Sequence, residues 1–193
     1  MAEGGPGAGD HPVTVLLPAA GRAATAWKNG GGVTREIACF PAGAGMADFT
    51  WRVSLAEVAA DGPFSVFPAV ERTLTLVEGA GMDLTVGGRR RLVDATGVPW
   101  DLPGDEPTDC RLLDGPVVNL NVMWRRGAPA PTVAVVRGRL GLRAAHALIV
   151  ALGESGSADV DGVRLARHDA LLLNGEDATV HAHGPTAVVG LTP

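Results

Sequence analysis

Two cysteines in 193 residues, Cys39 and Cys110, are too few for a disulfide framework. They form no C-x-x-C pair, so reduced, mostly buried thiols are expected rather than a bridge or a metal knuckle. No apolar run is long enough to span a bilayer, and the first ten residues, M-A-E-G-G-P-G-A-G-D, have neither the basic start nor the apolar core of a signal peptide. The expected compartment is therefore the cytoplasm, with no membrane partner. A basic face is missing too. The net charge of −5 and the scattered arginines exclude the counterion-displacing surface that a nucleic-acid partner needs. The run Arg89-Arg90-Arg91 follows Gly87-Gly88 and reads as the solvated edge of a hairpin.

Long helices are excluded by 27 glycines and 14 prolines distributed throughout. What remains is a series of short apolar stretches bounded by turn residues, and the class is all-β. The pattern predicts strands over 13–17, 33–40, 50–55, 72–78, 82–86, 90–93, 109–113, 117–123, 147–152, 158–160, 163–165, 170–173, 179–182 and 187–191, with one short helix over 54–59. Residues 1–11 read as a disordered tail, and R-R-G-A-P-A-P over 125–131 as a linker between halves.

The halves resemble each other. The segment 73–79 matches 147–153, Gly104-Asp105 matches Gly175-Glu176, and Gly115-Pro116 matches Gly184-Pro185, in the same order. Two copies of one small β unit, each protecting its edges, are satisfied by jelly-roll or cupin barrels. The expected domains are a first barrel over 12–124 and a second over 132–193. Where the first copy has Asn119 and Asn121, the second has Val188 and Gly190, so the first is expected to hold the site and the second to be degenerate.

Parity supports this. Thr34 with Glu36, Arg52 with Ser54, and Asn119 with Asn121 each share a strand face, while Val33, Ile37, Val53, Leu55, Leu120 and Val122 alternate with them and Arg35 is the exception. Any one such strand, taken alone, reads first as a solvated face. Three of them beside W-K-N-G-G-G-V-T-R-E, from Trp27 to Glu36, predict a polar pocket. Arg52 and Arg72 offer planar forks for a carboxylate, or else brace Glu36, Glu71 or Asp61. Asn29, Asn119 and Asn121 can read donors and acceptors, free N–H groups of Gly30, Gly31 and Gly32 can hold an anion, and Trp27 and Phe64 can form apolar walls or core.

At W-K-N-G-G-G-V-T-R-E-I, at W-R-V-S-L-A-E-V-A-A-D-G-P-F-S-V-F-P-A-V-E-R-T-L-T-L-V-E-G, and at the Gly-Asp preceding C-R-L-L-D-G-P-V-V-N-L-N-V-M, the chain resembles the HutD/Ves family of bicupin proteins. The resemblance implies two fused cupin-like barrels and an association with histidine utilisation, with members acting as small-molecule sensors that govern the pathway rather than as established enzymes. Members outside such operons are linked to stress response. One departure is V-P-W-D-L-P before Gly104, where the family pattern has a phenylalanine-containing stretch; Trp100 takes that aromatic's place.

A cupin raises the question of metal. The usual site needs two close histidines, a carboxylate and a distant histidine. The first half has no histidine after His11, and His181-Ala182-His183 with His168 and His146 offers no third ligand at a matching spacing, so neither metal nor another cofactor is expected. Ser54 and Ser65 have no activating histidine in their half and no nucleophile elbow. The expected function is metal-free binding of a small carboxylate of the urocanate or formylglutamate type in the first barrel. The alternative is an isomerase or hydrolase using Glu36 or Asp61 as acid and base, although Asp61 in D-G-P-F-S also reads as a turn cap. Sheets of this kind pair edge to edge, which leaves a homodimer open.

Overall fold

The computed structural model describes residues 14–153 and 157–192, and the tail expected over 1–11 lies outside them. In chain order the strands are β1 (Val15–Leu17), β2 (Thr25–Ala26), β3 (Gly32–Phe40), β4 (Trp51–Val58), β5 (Gly62–Pro63), β6 (Val70–Glu78), β7 (Met82–Val86), β8 (Arg89–Val93), β9 (Pro99–Pro103), β10 (Thr108–Leu112), β11 (Val117–Arg125), β12 (Thr132–Ala151), β13 (Ala158–Val160), β14 (Val163–Leu165) and β15 (Ala170–Gly190). There is no α-helix among the described residues, so none is long and apolar enough to cross a membrane. The helix expected over 54–59 is instead the end of β4. Its Ser-Leu-Ala-Glu composition tolerates a helix, but the segment is laddered to β3 on one side and β11 on the other, and tertiary pairing overrides propensity.

In the first barrel a six-stranded antiparallel sheet, β2-β3-β4-β11-β6-β9, curls over a four-stranded one, β5-β10-β7-β8. The second barrel is built largely from β12 and β15, 20 and 21 residues long, which bend and pair repeatedly: 132–136 with 186–190, 138–142 with 178–182, and 147–150 with both 170–173 and 187–190. β13 and β14 extend this sheet.

β1 pairs with β15, Val15 opposite Leu172 and Leu17 opposite Ala170. From this first described strand, held in the sheet of the second barrel, the chain crosses into the first. The expected linker is pinned as well. The Arg125 guanidinium donates to the carbonyls of Met46, Ala47 and Phe49, and Arg126 pairs with Glu71 and Asp105.

The repeat is real in topology, with a correction in register. Leu120 lies opposite Thr75 and Val189 opposite Leu148, which equates Thr75 with Leu148. Sequence matching of 73–79 with 147–153 equates Thr75 with Ile149 instead. A slip of one residue exchanges the two faces of a strand, and burial sides with the structural register. Leu74 and Leu76 fill the first barrel, as Ala147 and Ile149 fill the second.

Four apolar clusters follow. Ile37, Trp51, Val53, Leu55, Leu120 and Val122 face Leu148, Val150, Ala187 and Val189, forming the core between barrels. The second interior is apolar throughout, with Ile149, Val160, Leu165, Leu171 and Val180 at its centre. In the first interior Leu74, Leu76, Met82, Leu84 and Cys110 pack together at one end, and Phe49, Val70 and Met123 form a separate small cluster. Burial pushes the Cys110 thiol up to about 12, which makes it inert.

Candidate functional site

The glycine-rich turn is held by its own backbone. Trp27 N–H donates to the Gly32 carbonyl at 2.9 Å, Gly30 N–H to the Trp27 carbonyl at 3.0 Å, and Gly31 N–H to Asn29 Oδ1 at 3.1 Å. Asn29 Nδ2 in turn donates to the Pro63 carbonyl at 3.1 Å. The expected anion nest at Gly30, Gly31 and Gly32 therefore has two of its N–H groups already engaged. Glycine is required here for closeness and shape: a Cβ on Gly32 would run into the Glu57 carbonyl oxygen and the Trp27 ring, and Gly30 sits at φ +72°. The turn presses Trp27 inward, where its Nε1 donates to Thr34 Oγ1 at 2.8 Å and its ring meets Phe64 edge-on at 5.7 Å.

Inside the first barrel, next to this ring pair, lies a cavity of about 600 Å³, lined from the predicted set by Trp27, Thr34, Glu36, Arg52, Phe64, Arg72 and Asn121. Strand register explains their convergence. Met123 lies opposite Arg52 on β4 and opposite Arg72 on β6, while Asn121, one step along the same face, lies opposite Ser54 and Leu74. Glu36 on β3 lies opposite Ser54. The apolar alternates on these strands are consumed by the core between barrels, which leaves the polar parity for the interior.

Each arginine has a different environment. Arg52 Nε donates to Glu36 Oε2 at 2.6 Å. Arg72 is 7% exposed; its Nε donates to Asn121 Oδ1 at 3.1 Å, and its guanidinium lies 5.5 Å from the Phe64 ring centre and 5.7 Å from that of Phe67. No carboxylate pairs with it among the described residues, and burial alone pulls its pKa down to about 10. A buried cation left without a counter-charge is costly, and an anion entering the cavity would supply the missing partner. Ser54 Oγ, fully buried, has no hydrogen-bond partner among the described residues.

Six expected site residues do not line the cavity. Asn29, Gly30, Gly31 and Gly32 form the turn outside it, and Ser54 and Asn119 are buried in the sheet beneath it. Asp61 is also elsewhere, its Oδ1 accepting from Leu112 N–H at 2.8 Å as a loop brace. Trp100 packs at the apolar end under Arg91 and leaves the cavity untouched. Conversely, Lys28, Met46, Val66, Phe67 and Met123 line the cavity without having been singled out. Met123 was reachable by extending the Asn119–Asn121 parity one step; Lys28 was hidden inside the glycine turn.

The residues do not suit the metal that many cupins carry. Among the described residues no three His, Cys, Asp or Glu side chains converge, and His181 and His183 both face outward from β15. His168 lies between barrels against Glu78, 3.2 Å from its Oε1.

Two barrels of this topology, one filled and one holding a cation-lined cavity, define a protein of the cupin fold. The Leptotrichia buccalis cupin 2 conserved barrel domain protein superposes with a TM-score of 0.56 over 83% of this chain and 89% of that one, at 12% identity. Within that fold the chain belongs to the HutD family, whose model matches residues 19–189. HutD from Pseudomonas fluorescens SBW25 superposes with a TM-score of 0.81 at 30% identity, covering 93% of this chain and 98% of that one. Protein Ves of Cronobacter sakazakii is 40% identical over 101 residues, which are 52% of this chain and 54% of that protein. The match thus spans about half the length of that curated relative. An uncharacterized 21.2 kDa protein in the hutC 3′ region of Pseudomonas putida is 30% identical over 161 residues, 78% of this chain and 82% of that protein.

Proposed function

We propose that this protein binds a small carboxylate in the cavity of its first barrel and serves as a metal-free sensor rather than as a catalyst. The observation that carries the reading is Arg72, a buried guanidinium on the cavity wall whose described partners are an amide oxygen and two aromatic rings. Its fork matches a carboxylate in shape and charge, and the Trp27, Phe64 and Phe67 rings give the body of a planar or aliphatic ligand something to rest on. The hutC 3′ location of the Pseudomonas putida relative supports intermediates of histidine degradation as the first ligands to try.

Acid–base catalysis is the weaker reading. Glu36 is the carboxylate on the cavity wall, and Arg52 already engages it at 2.6 Å. A loss of turnover in Glu36→Gln, with the fold intact, would revive it.

Calorimetry with urocanate, formylglutamate and formiminoglutamate tests the reading. Wild type should bind at least one of them and gain thermal stability by mass action, while Arg72→Gln should do neither. Failure of all three to bind wild type overturns the proposal for this pathway.

A further inference from the structure

Of the 16 basic side chains, one is a lysine, and it stands at the mouth of the cavity. The ionisable groups lining that cavity are Lys28, Arg52, Arg72 and Glu36. Glu36 and Arg52 neutralise each other. Arg72 and Lys28 are left over, and neither has a carboxylate partner among the described residues. One excess cation would suit a monoanion; two suit a dianion.

Phe64 meets the Trp27 ring at 5.7 Å between centres and lies 5.5 Å from the Arg72 guanidinium. Lys28 follows Trp27 directly in the chain and lines the same cavity as Arg72. The two cations differ in kind as well as place. The interior one is a rigid fork anchored to Asn121, suited to a fixed bidentate contact. The outer one is an exposed point charge on a flexible four-carbon stem, suited to closing on a group that arrives last.

We infer that the cavity selects dicarboxylates, holding one carboxylate at Arg72 and the second at Lys28. This rests on the carboxylate reading and narrows it. The Trp27 and Phe64 rings line the same cavity and give an aliphatic spacer an apolar surface to rest on.

The test compares two acids of equal chain length, glutarate and pentanoate, by calorimetry at low salt on the full chain. Wild type should bind glutarate at least about tenfold more tightly than pentanoate, Lys28→Ala should erase that advantage while leaving pentanoate within about twofold, and Lys28→Arg should restore most of it. Because Lys28 is exposed, a thermal melt of Lys28→Ala should match wild type. A glutarate preference that survives Lys28→Ala, or equal binding of the two acids to wild type, overturns the inference. If pentanoate binds wild type but not Arg72→Gln and glutarate is no better, the carboxylate reading stands and this inference falls. If neither acid binds, both fall.

Discussion

Arg52 and Arg72 flank Met123 on one row of the sheet, yet Arg52 is paired with Glu36 at 2.6 Å while Arg72, the more buried of the two, has no carboxylate partner among the described residues. Burial normally demands pairing, and the anion proposed to bind at Arg72 would remove this inversion.

The two arginines should therefore respond differently to substitution. Arg72→Gln should weaken carboxylate binding by about a hundredfold or more, the usual cost of removing one partner of a buried charged contact. Glu36→Gln should act in the opposite direction: it releases Arg52 and removes a like charge, so an anionic ligand should bind a few-fold more tightly. Calorimetric titration of both variants with the same ligand reads the difference.

Stability should move against binding. A lone charge at Arg72 is disfavoured by its surroundings, but removing it alone strands Asn121 Oδ1, so Arg72→Met should stay within about 1 kcal/mol of wild type. The double variant Arg72→Met/Asn121→Leu removes both polar groups and should be more stable by about 1–3 kcal/mol in urea unfolding while binding nothing. A double variant less stable than wild type would mean that the cation braces the fold.

The glycines at 30 and 32 serve different ends, and alanine separates them. Gly32→Ala drives a methyl into the Glu57 carbonyl and the Trp27 ring and should cost about 2–3 kcal/mol. Gly30→Ala meets open space and should cost only the left-handed backbone penalty, about 1–2 kcal/mol. Denaturant midpoints of the pair measure the gap.

His168 should make stability fall in mild acid. Its backbone is left-handed at φ +66°, and it faces Glu78, Arg167 and Arg22 between the barrels. Burial lowers its pKa below the ordinary 6.5, with Glu78 opposing and Arg167 and Arg22 reinforcing the shift. The folded state thus binds fewer protons than the unfolded one. Its contribution is complete above pH 6.5 and is lost as pH falls through the lowered folded value. His168→Asn, which tolerates the same backbone, should flatten stability against pH over that window. An unchanged slope would sink the assignment.

Much of the fold was legible because strand parity is a local signal. The apolar alternates Val53, Leu55, Leu120 and Val122 were visible as a stripe, and they do pack on the other barrel. What escaped was set by distant partners. β9 carries prolines at both ends and reads as a turn until β6 is placed beside it. The first half of β12, with Gly138 and Gly141 among arginines, extends only because β15 runs alongside. In the site, the polar rows at Glu36, Arg52 and Asn121 were readable from parity, as was Arg72 from its motif. Which arginine already had a partner was not, because that depends on the strand order, which puts Glu36 on β3 one strand from Arg52 and three from Arg72. The glycine turn misled in a different way, since its composition shows that N–H groups are present but not that Asn29 and Trp27 occupy them.

The pairing of β1 with β15 also has a meaning for how the molecule can be divided. Although two copies of a unit are visible in the chain, a cut between them at 125–131 would leave the N-terminal piece carrying a strand whose sheet is gone. The C-terminal piece would keep an unprotected edge beside residues 170–172, and both would bare the faces that Leu120 and Leu148 now cover. The duplicated halves have been stitched past the point of separability: neither fragment inherits a closed surface, and each is expected to aggregate alone.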